Sequence, residues 1–181
     1  WDIDLFWHIA AGRHFLETGG IPTTDIFSPI DPEKTWVTFQ WGYQVLVHLL
    51  EALGGLDLIR GVHAGVMWAA FALLAYHCRR SLRMGPTATV LVVALVVVLF
   101  GDRIRVRPHV FNLLGWVVLL PLLLRGSTTT EAEGLRSRPI VFSVEAHLLT
   151  AVTLAIWANL HAGGAFLFLV AAATVPFSAI V

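Results

Sequence analysis

The sequence is poor in cysteine, in lysine and in charge. Cys78 is the only cysteine among 181 residues, which excludes an intramolecular disulfide and any metal site built from several cysteines. Only 13% of the residues are charged, the formal net charge is +0, and eleven of the twelve basic residues are arginine. A broad basic surface is therefore not expected, and no nucleic-acid partner is predicted. The sequence also lacks a glycine-rich nucleotide loop, a serine nucleophile elbow and a zinc signature.

Apolar residues, by contrast, are abundant. They make up 57% of the chain, and the mean hydropathy is +0.76, well above the values typical of a soluble domain. A membrane helix needs about 20 mostly apolar residues, and five stretches approach that length. They run over 56–76, 84–101, 110–124, 140–160 and 162–181. The sequence therefore predicts an all-α fold in which residues 56–181 form a polytopic transmembrane helical bundle with about five spans.

Residues 1–55 have a different pattern, because polar residues are regularly interspersed among apolar ones. Two amphipathic helices are expected there, one capped by Asp4 and running to Thr18, the other over 39–53, each followed by a pair of glycines. Between them lies a surface loop rich in Gly, Pro, Asp and Ser. Indole rings suit the headgroup region of a bilayer, so both helices are expected to lie along the membrane surface. The tryptophans concerned are Trp1, Trp7, Trp36 and Trp41.

With five spans, the connecting segments alternate between the two sides of the membrane. The short turn that holds Arg79, Arg80 and Arg83 is a plain cytoplasmic retention signal. Residues 1–55, the arginine-rich segment before 110 and the turn at 161 then lie on the other side. The chain is thus expected to be a multi-pass protein of the plasma (inner) membrane with these segments on the external or periplasmic face. It starts without a signal region and stops while still apolar, so a fragment of a longer protein is expected.

Asp2 and Asp4 open the chain among aromatic residues. In an extended segment their carboxylates would share one face, whereas a helix that begins at Asp4 would use that carboxylate as its cap. His8 lies one helical turn after Asp4, so the two side chains can share a divalent cation or a proton. A capping aspartate and an ordinary interfacial histidine are the simpler interpretation, and spacing alone leaves both open.

Arg103, Arg105 and Arg107 alternate at strand-like spacing. The proline that follows prevents an ordinary helix through them, so the three guanidiniums would face one direction. Guanidiniums bind phosphate in bidentate fashion, and this cluster is well placed to hold a lipid phosphate or pyrophosphate. Contact with bulk headgroups is the alternative, and the two interpretations weigh about evenly.

The predicted fourth span ends with Trp157, Asn159 and His161, followed by two glycines that permit a tight turn or a close backbone approach. These polar groups would lie on the same side as the aspartates, which fits a shared site. A helix stop with an interfacial tryptophan explains them equally well.

The sequence contains DIDLFWHIAAGRHFLETGGIPTTDIFS, TWVTFQWGYQVLVHLL, RVRPHVFNLL and WANLHAGG. Together these segments, which span most of the chain, resemble a family of bacterial multi-pass membrane proteins similar to the GT-C glycosyltransferases. Phe6 replaces one tryptophan of the family's opening pattern. The residues that fit this pattern include Trp7, His8, Gly12, Pro22, Asp25, Phe27 and Ser28.

The resemblance implies that residues 1–55 form a first external loop that follows a further membrane helix. It also implies an inverting glycosyltransferase that transfers a sugar from a polyprenyl-phosphate-linked donor to an acceptor at the outer membrane face. Asp4 or Asp2 would be the catalytic base. The donor phosphate would be held by the arginine segment with His109 and His161. A divalent cation, Mg or Mn, that bridges Asp4, His8 and the phosphate is an optional variant.

Gln40 stands where the family pattern would place an acidic residue, so one carboxylate is missing. This departure favours an alternative function, a non-catalytic membrane scaffold or anionic-lipid-binding protein that retains the GT-C-like fold. A transporter fits less well, because the predicted spans carry no ionisable residue near their centres and His63 lies close to one end.

Overall fold

The structure, a computed structural model, describes residues 4–31, 33–101, 105–128 and 144–178. Its five α-helices are α1 (Asp4–Thr18), α2 (Trp41–Arg80), α3 (Pro86–Leu99), α4 (Val110–Thr128) and α5 (Val144–Ser178). The described ranges contain no β-strand, and the loop between α1 and α2 holds one isolated bridge between Thr24 and Thr35. The all-α class predicted from the sequence is confirmed.

The ends of α1 agree with the sequence prediction. Asp4 is its first residue, and the chain leaves the helix at Gly19, whose φ of 70° lies in the left-handed region that favours glycine. The N–H of Gly19 still donates to the carbonyl of Phe15 at 2.8 Å and closes the last turn. The buried face of α1, which includes Leu5 and Ile9, packs against α2.

The helix α2 is bent back on itself at Gly54 and Gly55. Gly55 has a φ of 66° and a ψ of −164°, a conformation that side chains disfavour. Tyr43 and His63 lie 20 residues apart, which is about 30 Å along a straight helix. Their side chains nevertheless make contact, since the Tyr43 hydroxyl lies 3.1 Å from Nε2 of His63. The chain therefore reverses at the two glycines, and the limbs 41–53 and 56–80 lie side by side.

The helix α5 also turns sharply, at His161. The φ of −161° and ψ of 93° of this residue are extended rather than helical. Trp157 and Phe168 are 11 residues apart in the sequence, which is about 16 Å along a straight helix, yet their ring centroids are only 6.1 Å apart. Both side chains belong to a small buried cluster with Leu119 of α4. The two limbs of α5 therefore both pack against α4.

If the limbs are counted separately, seven helical segments occur in the described ranges. They lie where the sequence predicts two amphipathic helices and five apolar ones. The bend of α2 at Gly54 and Gly55 and the turn of α5 at His161 separate segments that the sequence predicts as separate helices. The parts of the predicted spans that fall on 140–143 and 179–181 lie outside the described residues.

Two helices in the described part of the chain are long and apolar enough to cross a membrane, namely α2 and the stretch Leu148–Phe166 within α5. Because both helices are bent, the length to compare with the thickness of the membrane is that of one straight limb. The limb 56–80 of α2 has 25 residues and is about 37 Å long, more than the hydrocarbon core of about 30 Å. These helices are consistent with membrane association.

The helix α3 exposes apolar side chains over most of its surface. Among its residues Thr89 is buried, while large apolar residues are left uncovered by the described chain. The exposed ones are Val90, Leu91, Leu95, Val97, Val98 and Leu99. A helix that is apolar all round without being buried in protein is typical of contact with lipid.

Close backbone contacts at glycines join the start of α2 to α1 and to α5. A Cβ on Gly12 of α1 would overlap the backbone carbonyl of Gln44 in α2. A Cβ on Gly42 would lie 2.9 Å from the carbonyl oxygen of Asn159, just before the turn of α5. The middle of α1, the start of α2 and the turn of α5 are therefore neighbours.

Candidate functional site

The first residue of α1 meets the segment that precedes α4. Oδ2 of Asp4 lies 3.1 Å from Nη2 of Arg107, and the two side chains are 43% and 37% exposed. An ion pair this accessible to water contributes at most about 1 kcal/mol to stability. The contact matters more for what it brings together, which is the predicted base and a predicted phosphate-binding cation.

The segment before α4 is a turn. The N–H of Arg107 donates to the carbonyl of Arg105 at 2.8 Å, and the N–H of Val110 donates to the carbonyl of Arg107 at 3.3 Å. The strand-like alternation predicted for the two arginines is therefore wrong. The physical reason is Pro108, which lies two residues before the first residue of α4 and has a fixed φ and no N–H for a strand hydrogen bond. The side chain of Arg105 is exposed, while that of Arg107 is half-buried.

His8 faces the protein interior although it lies one turn after Asp4. Its side chain is 3% exposed, and its Nε2 lies 3.5 Å from Nε2 of Gln40, the residue just before α2. Its ring also lies edge-on to Tyr43, with 5.2 Å between the centroids. Gln40, the departure from the family pattern, is thus a neighbour of His8.

The arrangement around Asp4 and His8 fits a divalent cation poorly. Within the part of the chain that the structure describes, no group of three or more His, Cys, Asp or Glu side chains is placed to hold a metal ion. The Asp4 carboxylate contacts a guanidinium, and the buried His8 faces an amide. Mg²⁺ and Mn²⁺ prefer several oxygen ligands, and of these two residues only Asp4 supplies a carboxylate.

A buried hydrogen bond between Tyr43 and His63 connects the two limbs of α2. Nδ1 of His63 lies 2.8 Å from the carbonyl oxygen of Ile59, so this nitrogen is the donor. In the neutral ring Nε2 is then the acceptor, and it receives the hydroxyl proton of Tyr43 at 3.1 Å. Both side chains are buried. The bond therefore fixes how the first limb, which begins beside the site, sits on the second.

Two histidines meet at the turn of α5. The rings of His109 and His161 lie edge-to-face with 4.4 Å between their centroids. Next to them, the indole N–H of Trp157 donates to Oδ1 of Asn112 at 3.0 Å. A Cβ on Gly164 would overlap the Asn112 amide, so the glycine makes room for this bond. These contacts join the first turn of α4 to both limbs of α5.

Two cavities lie on either side of this junction. The larger one has a volume of about 380 Å³ and the smaller one, between α4 and α5, about 210 Å³. The larger is lined by the polar residues His109, Asn112 and His161 and by the apolar residues Leu99, Phe100 and Trp116. The smaller is mainly apolar and is lined in part by Phe111, Gly115, Ile156 and Trp157.

The structure brings four of the predicted site residues into one region. Asp4 contacts Arg107, and His109 contacts His161. Arg107 and His109 are two residues apart, so their Cα atoms lie within about 7 Å of each other. The two contacts therefore involve residues that lie close together in the segment before α4.

Of the other predicted site residues, Asn159 and Trp157 make contacts of their own. The side-chain amide of Asn159 donates to the carbonyl of Ala155 in its own helix at 2.8 Å. Trp157 is 2% exposed and is part of the packing rather than an interfacial residue. Asp2 and Arg103 lie outside the described residues.

Sequence reasoning missed Asn112 and the bond between Tyr43 and His63. The available signal for Asn112 was one amide in the first turn of an otherwise apolar helix. No local sequence pattern pairs Tyr43 with His63, because the two residues meet only after the chain reverses at the two glycines. Comparisons of this chain with protein families, with curated proteins and with solved structures give no match.

Proposed function

We propose that this chain is part of an inverting, GT-C-type membrane glycosyltransferase that transfers a sugar from a polyprenyl-phosphate-linked donor. The observation that supports it most is the 3.1 Å contact between the Asp4 carboxylate and the Arg107 guanidinium. A general base and a cation for the departing phosphate must both reach one sugar phosphate. A carboxylate and a guanidinium at the same end of the bundle meet that requirement.

In the proposed reaction an acceptor hydroxyl attacks the anomeric carbon of the donor sugar. Its proton passes to the Asp4 carboxylate while the bond from the anomeric carbon to the phosphate oxygen breaks. The phosphate leaves with the bonding electron pair, and Arg107 stabilises its charge. A guanidinium has five N–H donors in a fixed plane, enough to contact both a carboxylate and a phosphate. Asp2 is the second candidate for the base, and Arg105 for phosphate contact.

The membrane setting of the proposal follows from the apolar helices. The limb 56–80 of α2, together with α3, α4 and the limbs of α5, would span the plasma (inner) membrane, with the Asp4–Arg107 pair at its external or periplasmic face. Trp7 lies three residues after Asp4 in α1 and contacts Trp36 edge-to-face, with 5.5 Å between their centroids. Tryptophans are typical of the headgroup level, where a lipid-borne donor presents its phosphate.

The proposal is tested by turnover in vesicles. The intact protein is reconstituted in proteoliposomes with a radiolabelled polyprenyl-phosphate sugar and a panel of acceptors, and the label in water-soluble or acceptor-bound form is counted over time. Release of more than one label per protein supports a transferase. Parallel reactions with EDTA, or with added Mg²⁺ or Mn²⁺, test the predicted optional cation. Donor that is retained without release contradicts the proposal.

Gln40 favours a second candidate, the non-catalytic scaffold or anionic-lipid-binding protein. It lies 3.5 Å from His8, at the position where the family pattern would supply a carboxylate. If this amide silences the site, the wild-type protein binds the donor without turnover, and the substitution Gln40→Glu restores measurable release of label. If the wild-type protein already turns over, this candidate is contradicted.

A further inference from the structure

The larger cavity combines an aromatic wall with a polar one, and its lining residue His109 lies two residues after Arg107 in the sequence. We propose that this cavity of about 380 Å³ binds an uncharged, hydroxyl-bearing ring, the sugar moiety of the donor. The inference rests on the proposed function, because it assigns the sugar subsite of the same reaction. It differs from the sequence prediction that His109 and His161 hold the phosphate.

The lining suits the two kinds of surface that a sugar ring offers. Phe100 and Trp116 provide apolar aromatic surface for the C–H faces of the ring. His109, Asn112 and His161 provide nitrogen and oxygen atoms for the hydroxyl groups at its edge. Small-molecule sites are mostly apolar with a few orienting polar groups and range over about 300–1,000 Å³. The cavity volume falls at the lower end of that range, which fits a single ring.

One polar group of the cavity is oriented before any ligand binds. Oδ1 of Asn112 accepts the indole proton of Trp157, which is itself 2% exposed. The amide is therefore fixed in one orientation, with its NH₂ group on the side away from the indole. Gly164 leaves the space that this amide fills. A preorganised donor of this kind reduces the cost of ordering on binding.

The charge distribution favours a ring over a phosphate in this cavity. Its described lining includes no lysine or arginine, whereas Arg107 lies two residues before His109 in the sequence. A phosphate would therefore bind at Arg107, and the sugar attached to it would extend into the cavity. The Cα atoms of Arg107 and His109 lie within about 7 Å of each other, a spacing comparable to the size of one sugar phosphate.

The proposal is tested by binding of two separate probes to the intact protein in detergent. The sugar probes are methyl glycosides of glucose, mannose, galactose and arabinose, and the phosphate probe is inorganic phosphate, each titrated by isothermal calorimetry. We expect at least one glycoside to bind, and the substitution Asn112→Asp to weaken its binding by about tenfold or more. This variant keeps an oxygen for the Trp157 bond, so it is expected to fold. Arg107→Gln is expected to weaken phosphate binding and to leave glycoside binding unchanged.

The control variant is Thr153→Val, which alters the smaller apolar cavity on the other side of Trp157. It is expected to bind the glycoside as the wild type does. The proposal is overturned if no glycoside binds, if Asn112→Asp binds it normally, or if the control loses as much affinity.

Failure of the subsite and failure of the enzyme give different results. Sugar transfer in proteoliposomes with an unchanged KM in Asn112→Asp contradicts the cavity assignment and leaves the transferase proposal intact. Glycoside binding that depends on Asn112, without any transfer by the wild type, keeps the carbohydrate site and contradicts the transferase.

Discussion

Asp4, at the start of α1, and Arg107, just before α4, are joined by a contact of 3.1 Å between Oδ2 and Nη2. The carboxylate belongs to the first turn of α1, where the helix dipole favours negative charge. Because the pair is partly exposed and solvent screens it, it adds little to stability. Its removal is therefore expected to affect function much more than folding, which separates a site from a structural ion pair.

Arg107→Gln is predicted to lower kcat/KM for sugar transfer by about a hundredfold or more, because a cation at the departing phosphate stabilises charge that develops in the transition state. The free energy of unfolding is predicted to change by less than about 1 kcal/mol. The measurements are initial rates in proteoliposomes and thermal unfolding in the same detergent.

The matched control for this variant is Arg60→Gln. Arg60 also forms an ion pair, with 2.9 Å between its Nη1 and Oδ1 of Asp57, which lies three residues earlier in α2. It is predicted to change neither the rate nor the stability appreciably. Equal losses of rate in the two variants would show that Arg107 has no special role.

Tyr43→Phe is predicted to lower the free energy of unfolding by about 1 kcal/mol, because it removes the hydroxyl group that donates a buried hydrogen bond to His63. Thermal or denaturant unfolding in detergent measures the change. Tyr76→Phe is the control, since the Tyr76 side chain is 56% exposed. The same small change in both variants would argue against the reversal of α2 at its glycines.

Gly12→Ala is predicted to destabilise the protein by about 1–3 kcal/mol, because the new Cβ would overlap the backbone carbonyl of Gln44 and push α1 away from α2. Gly61→Ala is the control within a helix, where a Cβ meets no atom within 4 Å. It is predicted to be neutral or to stabilise by up to about 1 kcal/mol. Comparable destabilisation of both variants would contradict the close packing of α1 on α2.

The sequence predicted the helical segments well because their signals are local. The end of α1 at Gly19 follows from the conformational freedom of glycine. Gly54 and Gly55 mark the predicted end of the helix 39–53, and the structure bends there. How the limbs pack could not be predicted, since no local pattern places Tyr43 on His63. That contact depends on the direction in which the chain reverses.

The candidate site was predictable in its residue types and less so in its geometry. The alternation of Arg105 and Arg107 indicated a strand, but Pro108 and the start of α4 impose a turn. The role of Asn112 could not be predicted, because an almost uniformly apolar helix has no periodicity that shows which of its faces packs against protein. Its role follows from the bond to Trp157, a contact made across two helices.

The most direct test of the account is the rate of sugar transfer by Asp4→Asn in proteoliposomes, compared with wild type and with Asp57→Asn. Loss of a general base is predicted to lower the rate by about a hundredfold or more, with insertion and thermal unfolding unchanged, while Asp57→Asn transfers normally. Transfer by Asp4→Asn at the wild-type rate would contradict the assignment of Asp4 as the base.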